Sequence, residues 1–145
     1  MASATSAEPL FNTRMQDIDG QEISLARYRG KALIVNFWAR WCSPCREEIP
    51  AFIQLQKVYR DKLQVIGIGL EDDAAAVKAF GQKYGINYPL LLAREQGIPL
   101  MRSLDNTRGA LPYTLVINRQ GQIVQIKVGL LHASELEKAA QRALQ

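Results

Sequence analysis

Asn36-Phe37-Trp38-Ala39-Arg40-Trp41-Cys42-Ser43-Pro44-Cys45-Arg46-Glu47-Glu48-Ile49-Pro50 is the stretch from which the rest of this chain is read. At its centre Cys42-Ser43-Pro44-Cys45 holds the only two cysteines among 145 residues. The apolar run Ala32 to Trp38 leads in and reads as a strand buried on both faces. Beyond Cys45, the apolar residues Ile49, Phe52 and Ile53 recur at three- and four-residue spacing, which is helical. Cys42 therefore falls where a buried strand turns into a helix.

That placement gives the pair a chemical meaning. The first backbone N–H groups of a helix lack intrahelical partners, and the helix dipole is positive there. Both effects favour a thiolate over a thiol, and cysteines at such sites titrate at roughly 3.5 to 7.5, against about 8.5 for the free side chain. Cys42 is expected to be the more exposed sulfur and the nucleophile. Cys45, one turn into the helix, is the less accessible sulfur that closes the disulfide. Pro44 has a fixed φ and no N–H, which suits a first helical turn. Such a pair attacks a partner's disulfide through Cys42 and resolves the mixed disulfide with Cys45.

Other readings of two cysteines are weaker. A structural zinc site wants four ligands. Here there is no third cysteine, and the single histidine, His132, lies about ninety residues downstream. Attachment of a c-type haem needs His directly after the second cysteine, where this chain has Arg46. A purely structural disulfide closing so short a loop constrains the unfolded chain little. A peroxidatic cysteine is a further option; the peroxiredoxin pattern has Thr or Ser three residues earlier, and this chain has Ala39.

The segment Val35 to Pro50 resembles the active-site segment of thioredoxin-like proteins, most of all the exported TlpA/ResA/CcmG-type thiol-disulfide oxidoreductases. The likeness runs from about Phe11 to Leu144, and both tryptophans, both cysteines and Pro50 fall where the family pattern has them. The resemblance implies an α/β thioredoxin fold: a central mixed sheet flanked by helices, an N-terminal β-hairpin, and an inserted βα unit at about 67–97. It implies no cofactor beyond the cysteine pair, and no metal.

Composition agrees with one domain, expected over 10–145. A chain of this length buries about two-thirds of its unfolded surface, and its 48% hydrophobic and 22% charged residues are ordinary for a globular protein. The net charge of +4 is spread without a basic run, which argues against nucleic acid. No eighteen-residue apolar stretch is present to span a membrane. Met1 to Pro9 is small and polar, lacks the apolar core of a signal peptide, and reads as a disordered leader. The chain is then cytosolic, or begins after a removed export signal or anchor. The resemblance favours the second, periplasmic or otherwise exported, with Met1-Ala2-Ser3 an artificial start.

Along the chain, Phe11–Ile18 and Gln21–Leu25 read as a hairpin around Asp19-Gly20, a pair that favours a type I′ turn. After the buried strand a helix runs to about Tyr59, with Pro50 inside it. Leu63 to Leu70 reads as a second buried strand. A helix capped by Asp72 or Asp73 follows, stopped by Gly85. Next come a short strand at Tyr88–Leu92, a weak helix around Pro99–Leu104, a hairpin of Tyr113–Asn118 with Gln122–Val128, and a last helix opening at Ser134.

The resemblance marks further residues. Leu111-Pro112 stands where the family carries a cis-proline that packs against the cysteines, the alternative being an ordinary trans turn. The residue before that proline offers its backbone to the partner; many relatives have Thr, and Leu111 makes the groove more apolar. Asn36 stands where thioredoxins carry a buried, titrating aspartate. In exported relatives an acid from the inserted unit approaches the cysteines, and Glu71, with Asp72 next to it, is the candidate here; the alternative is a loop-end charge. Trp41 is expected to shield the thiolate and touch the partner, with Trp38 in the core and His132 at the surface. Arg40 and Arg46 are candidates for electrostatic support of the thiolate.

The expected function is thiol-disulfide exchange with protein cysteines, as a monomeric reductant supplied by a membrane thiol carrier. Partners in view are apocytochrome c, a copper-site protein, another oxidoreductase or misoxidised thiols. The alternatives are a disulfide donor or isomerase, and a redox-insensitive binding module. The intact Cys-Ser-Pro-Cys speaks against the last, because mere binding needs no pair at this spacing.

Overall fold

The structure, a computed structural model, describes residues 5–145. In chain order its elements are β1 (Thr5–Ser6), α1 (Glu8–Phe11), β2 (Arg14–Asp17), β3 (Glu22–Ser24), β4 (Leu33–Trp38), α2 (Ser43–Tyr59), β5 (Gln64–Gly69), α3 (Ala74–Tyr84), β6 (Leu90–Leu92), α4 (Gly97–Ser103), β7 (Tyr113–Ile117), β8 (Gln122–Val128) and α5 (Ala133–Leu144). The eight strands form one sheet in the order β1-β8-β7-β4-β5-β6-β2-β3. β5 runs parallel to β4 and to β6, and every other pairing is antiparallel. This is the thioredoxin fold, with the hairpin β2–β3 and the α3–β6 unit extending the sheet beyond β5.

β4 lies at the centre of the sheet and all six of its residues are buried. Alternate side chains of a strand point to opposite faces, and the packing separates them accordingly. Leu33, Val35 and Phe37 enter a core with Leu10, Phe11, Leu100 and Met101 from α1 and α4. Ile34 and Trp38 enter the other core, with Cys45, Phe52 and Leu55 of α2, Val77 of α3 and Leu136 of α5. Asn36 shares the second face and so points toward the cysteine-bearing helix.

Three local expectations change. Phe11, read as the start of a strand, instead ends α1, where it is buried together with Leu10, and the strand begins at Arg14. The hairpin turn at Asp19-Gly20 is not type I′, since only Gly20 has positive φ, at 81°. Asp17 instead pairs across to Gln21, and its carbonyl accepts Gly20 N–H at 3.2 Å, a three-residue loop with glycine in the left-handed position. Residues 5–9, expected in the leader, also take part in the fold. Ser6 pairs with Gln122 on the edge of β8, and Ala7 is fully buried. Met1-Ala2-Ser3 lies outside the described residues. Asp73 caps α3 by accepting Ala76 N–H, and Gly85 ends it in the left-handed conformation expected. Among the described residues no helix is long and apolar enough to cross a membrane.

Candidate active site

The site is built where β4 gives way to α2. Cys42 N–H donates to Ala39 C=O at 3.2 Å, closing a turn with Arg40 and Trp41 at its centre. Cys42 is the N-cap residue of α2, and its Sγ accepts Cys45 N–H at 3.3 Å. The sulfur thus fills the role that an N-cap oxygen usually takes, satisfying a helix-terminal donor. Ser43 and Pro44 form the exposed first turn. Cys42 and Cys45 are joined in a disulfide with 5.3 Å between their Cα atoms. Cys42 keeps 5% exposure and Cys45 only 1%, the order expected for an attacking and a resolving sulfur. Trp41, beside them, is 73% exposed.

The Leu111–Pro112 peptide is cis, as the resemblance implies. It directly precedes β7, the strand on the far side of β4 from β5. Pro112 C=O accepts Gly129 N–H at 2.9 Å. Leu111 is half-buried and packs against the core that contains Cys42 and Cys45, so the edge of the site is lined by an aliphatic side chain.

Beneath the cysteines lies an acid that the sequence reading missed. Cys45, Glu48, Ile49, Phe52 and Leu55 form the buried stripe of α2, and Glu48 within it is 1% exposed. Residues three apart on a helix are neighbours on one face, so Glu48 follows Cys45 by a turn on the same buried side. One carboxylate oxygen accepts Leu131 N–H at 2.7 Å; the other accepts the Asn36 amide at 3.1 Å. Asn36 Nδ2 also reaches Thr114 Oγ1 at 3.3 Å, its register partner on β7. Burial pushes the Glu48 carboxyl up to about 7, against the opposing pull of the bonds from Leu131 and Asn36 and of Lys127. Tyr88 also feels this charge: burial, then Glu48, raises its phenol above the usual range. Asn36, which has no titrating group of its own, donates to the carboxylate that burial perturbs. The signal available in the sequence was the spacing Cys45 to Glu48 together with a non-titrating Asn36 on the facing strand.

Glu71 stands elsewhere. It lies two residues past the end of β5, is buried, and binds Arg40: Oε2 accepts Arg40 N–H at 2.6 Å and Oε1 accepts Arg40 Nε at 3.0 Å. Arg40 is engaged with Glu71, and Arg46 Nη1 donates to Arg40 C=O at 2.6 Å. Asp72 is exposed, and its carbonyl accepts Arg94 Nη1. His132 is an exposed N-cap of α5 whose N–H is taken by Glu135. Trp38 is core, stacked on Phe80 at 5.2 Å, with an indole N–H that has no partner among the described residues. Those residues include no group of three His, Cys, Asp or Glu placed to hold a metal ion.

Residues 7–126 match the model of the AhpC/TSA family. The chain is 35% identical over 127 residues to the thioredoxin-like protein YneN of Bacillus subtilis, covering 86% of this chain and 72% of that one. It is 27% identical over 125 residues to the thiol-disulfide oxidoreductase ResA of Geobacillus kaustophilus, covering 86% and 70%. Its fold superposes with a TM-score of 0.84 on the crystal structure of a thiol:disulfide interchange protein of the thioredoxin family from Chlorobium tepidum, at 30% identity over 99% of this chain and 98% of that one. With its cysteines paired at the head of α2 and these relatives, the chain belongs to the AhpC/TSA family and is a thiol-disulfide oxidoreductase of the thioredoxin fold.

Proposed function

We propose that the protein reduces protein disulfides in an exported compartment, taking its electrons from a membrane thiol carrier. The observation that carries the direction of attack is the unequal setting of the two sulfurs. Cys42 sits at the helix N-cap beside exposed Trp41, and Cys45 sits inside, a turn before a buried acid. In the reduced protein the Cys42 thiolate attacks one sulfur of the partner's disulfide, and the other sulfur leaves as a thiolate. Cys45 then loses its proton and attacks Cys42 Sγ. The Cys42–Cys45 disulfide forms and the partner's second thiol is released, so two electrons pass to the partner. Glu48 is the group that takes up the Cys45 proton, since burial holds its carboxyl near neutrality. Trp41, Leu111 and Pro112 line the face that meets the partner, with the Leu111 main chain offered to an extended peptide. Pro44 holds the first turn of α2.

The reductant reading is supported by the exported TlpA/ResA/CcmG-type likeness and by Ser43, which is small and uncharged. Strong oxidants of this fold owe their potential to stabilisation of the reduced form, and Ser43 adds no charge toward it. Apocytochrome c or another oxidoreductase fits as a partner, with this chain acting as a monomer. Equilibration against glutathione or dithiothreitol tests the direction of flow. The expected potential is nearer to about −270 mV than to about −120 mV. A value more oxidising than roughly −180 mV makes the protein a disulfide donor or isomerase.

A further inference from the structure

We propose that Glu71 is a positioning residue for the exchange: by clasping Arg40 at both its amide and its guanidinium, it holds the turn that presents Trp41 and Cys42 to a partner. The inference rests on Cys42 being the attacking sulfur. In the turn closed by Cys42 N–H on Ala39 C=O, the peptide groups of Arg40 find no partner within the turn. Both are taken from outside. Glu71 Oε2 accepts the Arg40 N–H at 2.6 Å, and Arg46 Nη1 donates to the Arg40 C=O at 2.6 Å. The guanidinium of Arg40 then forks onto Glu71 Oε1, through Nε and Nη2, both at 3.0 Å.

Glu71 is itself firmly placed. Its side chain is 6% exposed, its carbonyl accepts Arg94 N–H at 3.1 Å, and the preceding Leu70 N–H donates to Trp38 C=O at 2.8 Å. Arg94 continues the chain of contacts to Asp72 C=O and to Gln16 on the hairpin. Trp41, by contrast, is 73% exposed and borders a cleft of about 350 Å³ with Leu70, Asp72 and Ile98. Packing does not hold the indole; the backbone of its turn does. Charge-assisted bonds to a desolvated carboxylate are the stronger kind, and small displacements of a reacting group cost large factors in rate.

The test compares Glu71→Ala, Glu71→Gln and Arg40→Lys with the natural chain. Glu71→Ala is expected to slow reduction of insulin about tenfold. Glu71→Gln, which keeps an acceptor for the Arg40 N–H, is expected to recover most of that loss. The pH midpoint of Cys42 alkylation by iodoacetamide should stay put in both, because Arg40 is half-exposed and its charge is screened by water. Unchanged insulin reduction in Glu71→Ala overturns the proposal and leaves an ordinary ion pair. A moved alkylation midpoint also overturns it, since Glu71 would then act on the sulfur's charge. If Glu71→Ala does not fold, Arg40→Lys decides: it keeps the charge but loses the fork, and a rate equal to the natural chain's contradicts the clasp. Failure of the natural chain itself to reduce insulin would overturn the functional reading, and this inference with it.

Discussion

The carboxylate of Glu48 accepts the main-chain N–H of Leu131 at 2.7 Å, across 83 residues of sequence. The bond ties the cysteine-bearing helix to the loop that opens α5, and it gives a buried charge one of its two partners; Asn36 is the other. An acid so placed has two measurable consequences, one for stability and one for the exchange.

Stability should fall as pH rises through the Glu48 titration. In the folded protein burial raises this carboxyl to about 7 from an unfolded value of 4.5. Between those values the folded state binds the more protons, so stability declines with pH there. The burial cost is absent below the unfolded value and fully present above the folded one, where it is on the order of 3 kcal/mol. In Glu48→Gln this slope should flatten, and the variant should gain on the natural chain as pH rises from 4.5 to 7. Chemical denaturation of the oxidised protein at several pH values measures it. Parallel curves for the two proteins would show that Glu48 does not titrate in this window.

The same acid should set the pH dependence of resolution. Release of a mixed disulfide by Cys45 is expected to accelerate with a midpoint near 7 while Glu48 is present, and to lose that midpoint in Glu48→Gln. The paired groups titrate together, so the midpoint belongs to the site rather than to one residue. Stopped-flow release of a peptide held on Cys42 reads it directly.

Thiolate absorbance of the reduced protein should place the Cys42 titration below the free-cysteine value of about 8.5. Its Sγ already accepts the Cys45 N–H at the head of α2. A midpoint at or above the free value removes the helix-terminus argument.

Gly67 gives a packing prediction beside the site. A Cβ there would lie 2.8 Å from Leu90 Cδ2 and 3.2 Å from Trp38 Nε1. Gly67→Ala should therefore destabilise by about 1–3 kcal/mol, seen as a lowered denaturation midpoint. An undisturbed midpoint would mean that Leu90 moves aside freely.

Features set by near neighbours in the chain were legible before the structure. The buried run before Cys42 and the three- and four-residue spacing after Cys45 located strand, turn and helix. Asp73 and Gly85, which act on their own helix, marked the ends of α3. Pro112 was found only through likeness, because a cis bond leaves no periodic trace. Glu48 escaped because, next to Glu47 in the first turns of a helix, it reads as an ordinary solvent-facing acid. What buries it is Leu131 and Asn36, one distant in sequence and the other on a strand whose facing side depends on register. Glu71 was marked as an acid directed at the cysteines, but its bonds to Arg40 depend on how the chain leaves β5 beside β4. The Asp19-Gly20 turn went to a three-residue loop because strand register, not dipeptide preference, fixed its length.

The order of attack is the core of this account, and trapping tests it most directly. Each single variant, reduced, is mixed with a disulfide-bonded protein and resolved on a non-reducing gel. Cys45→Ser should accumulate a covalent complex through Cys42, and Cys42→Ser should accumulate none and reduce nothing. Stable complexes formed by Cys42→Ser through Cys45, with none from Cys45→Ser, would contradict it.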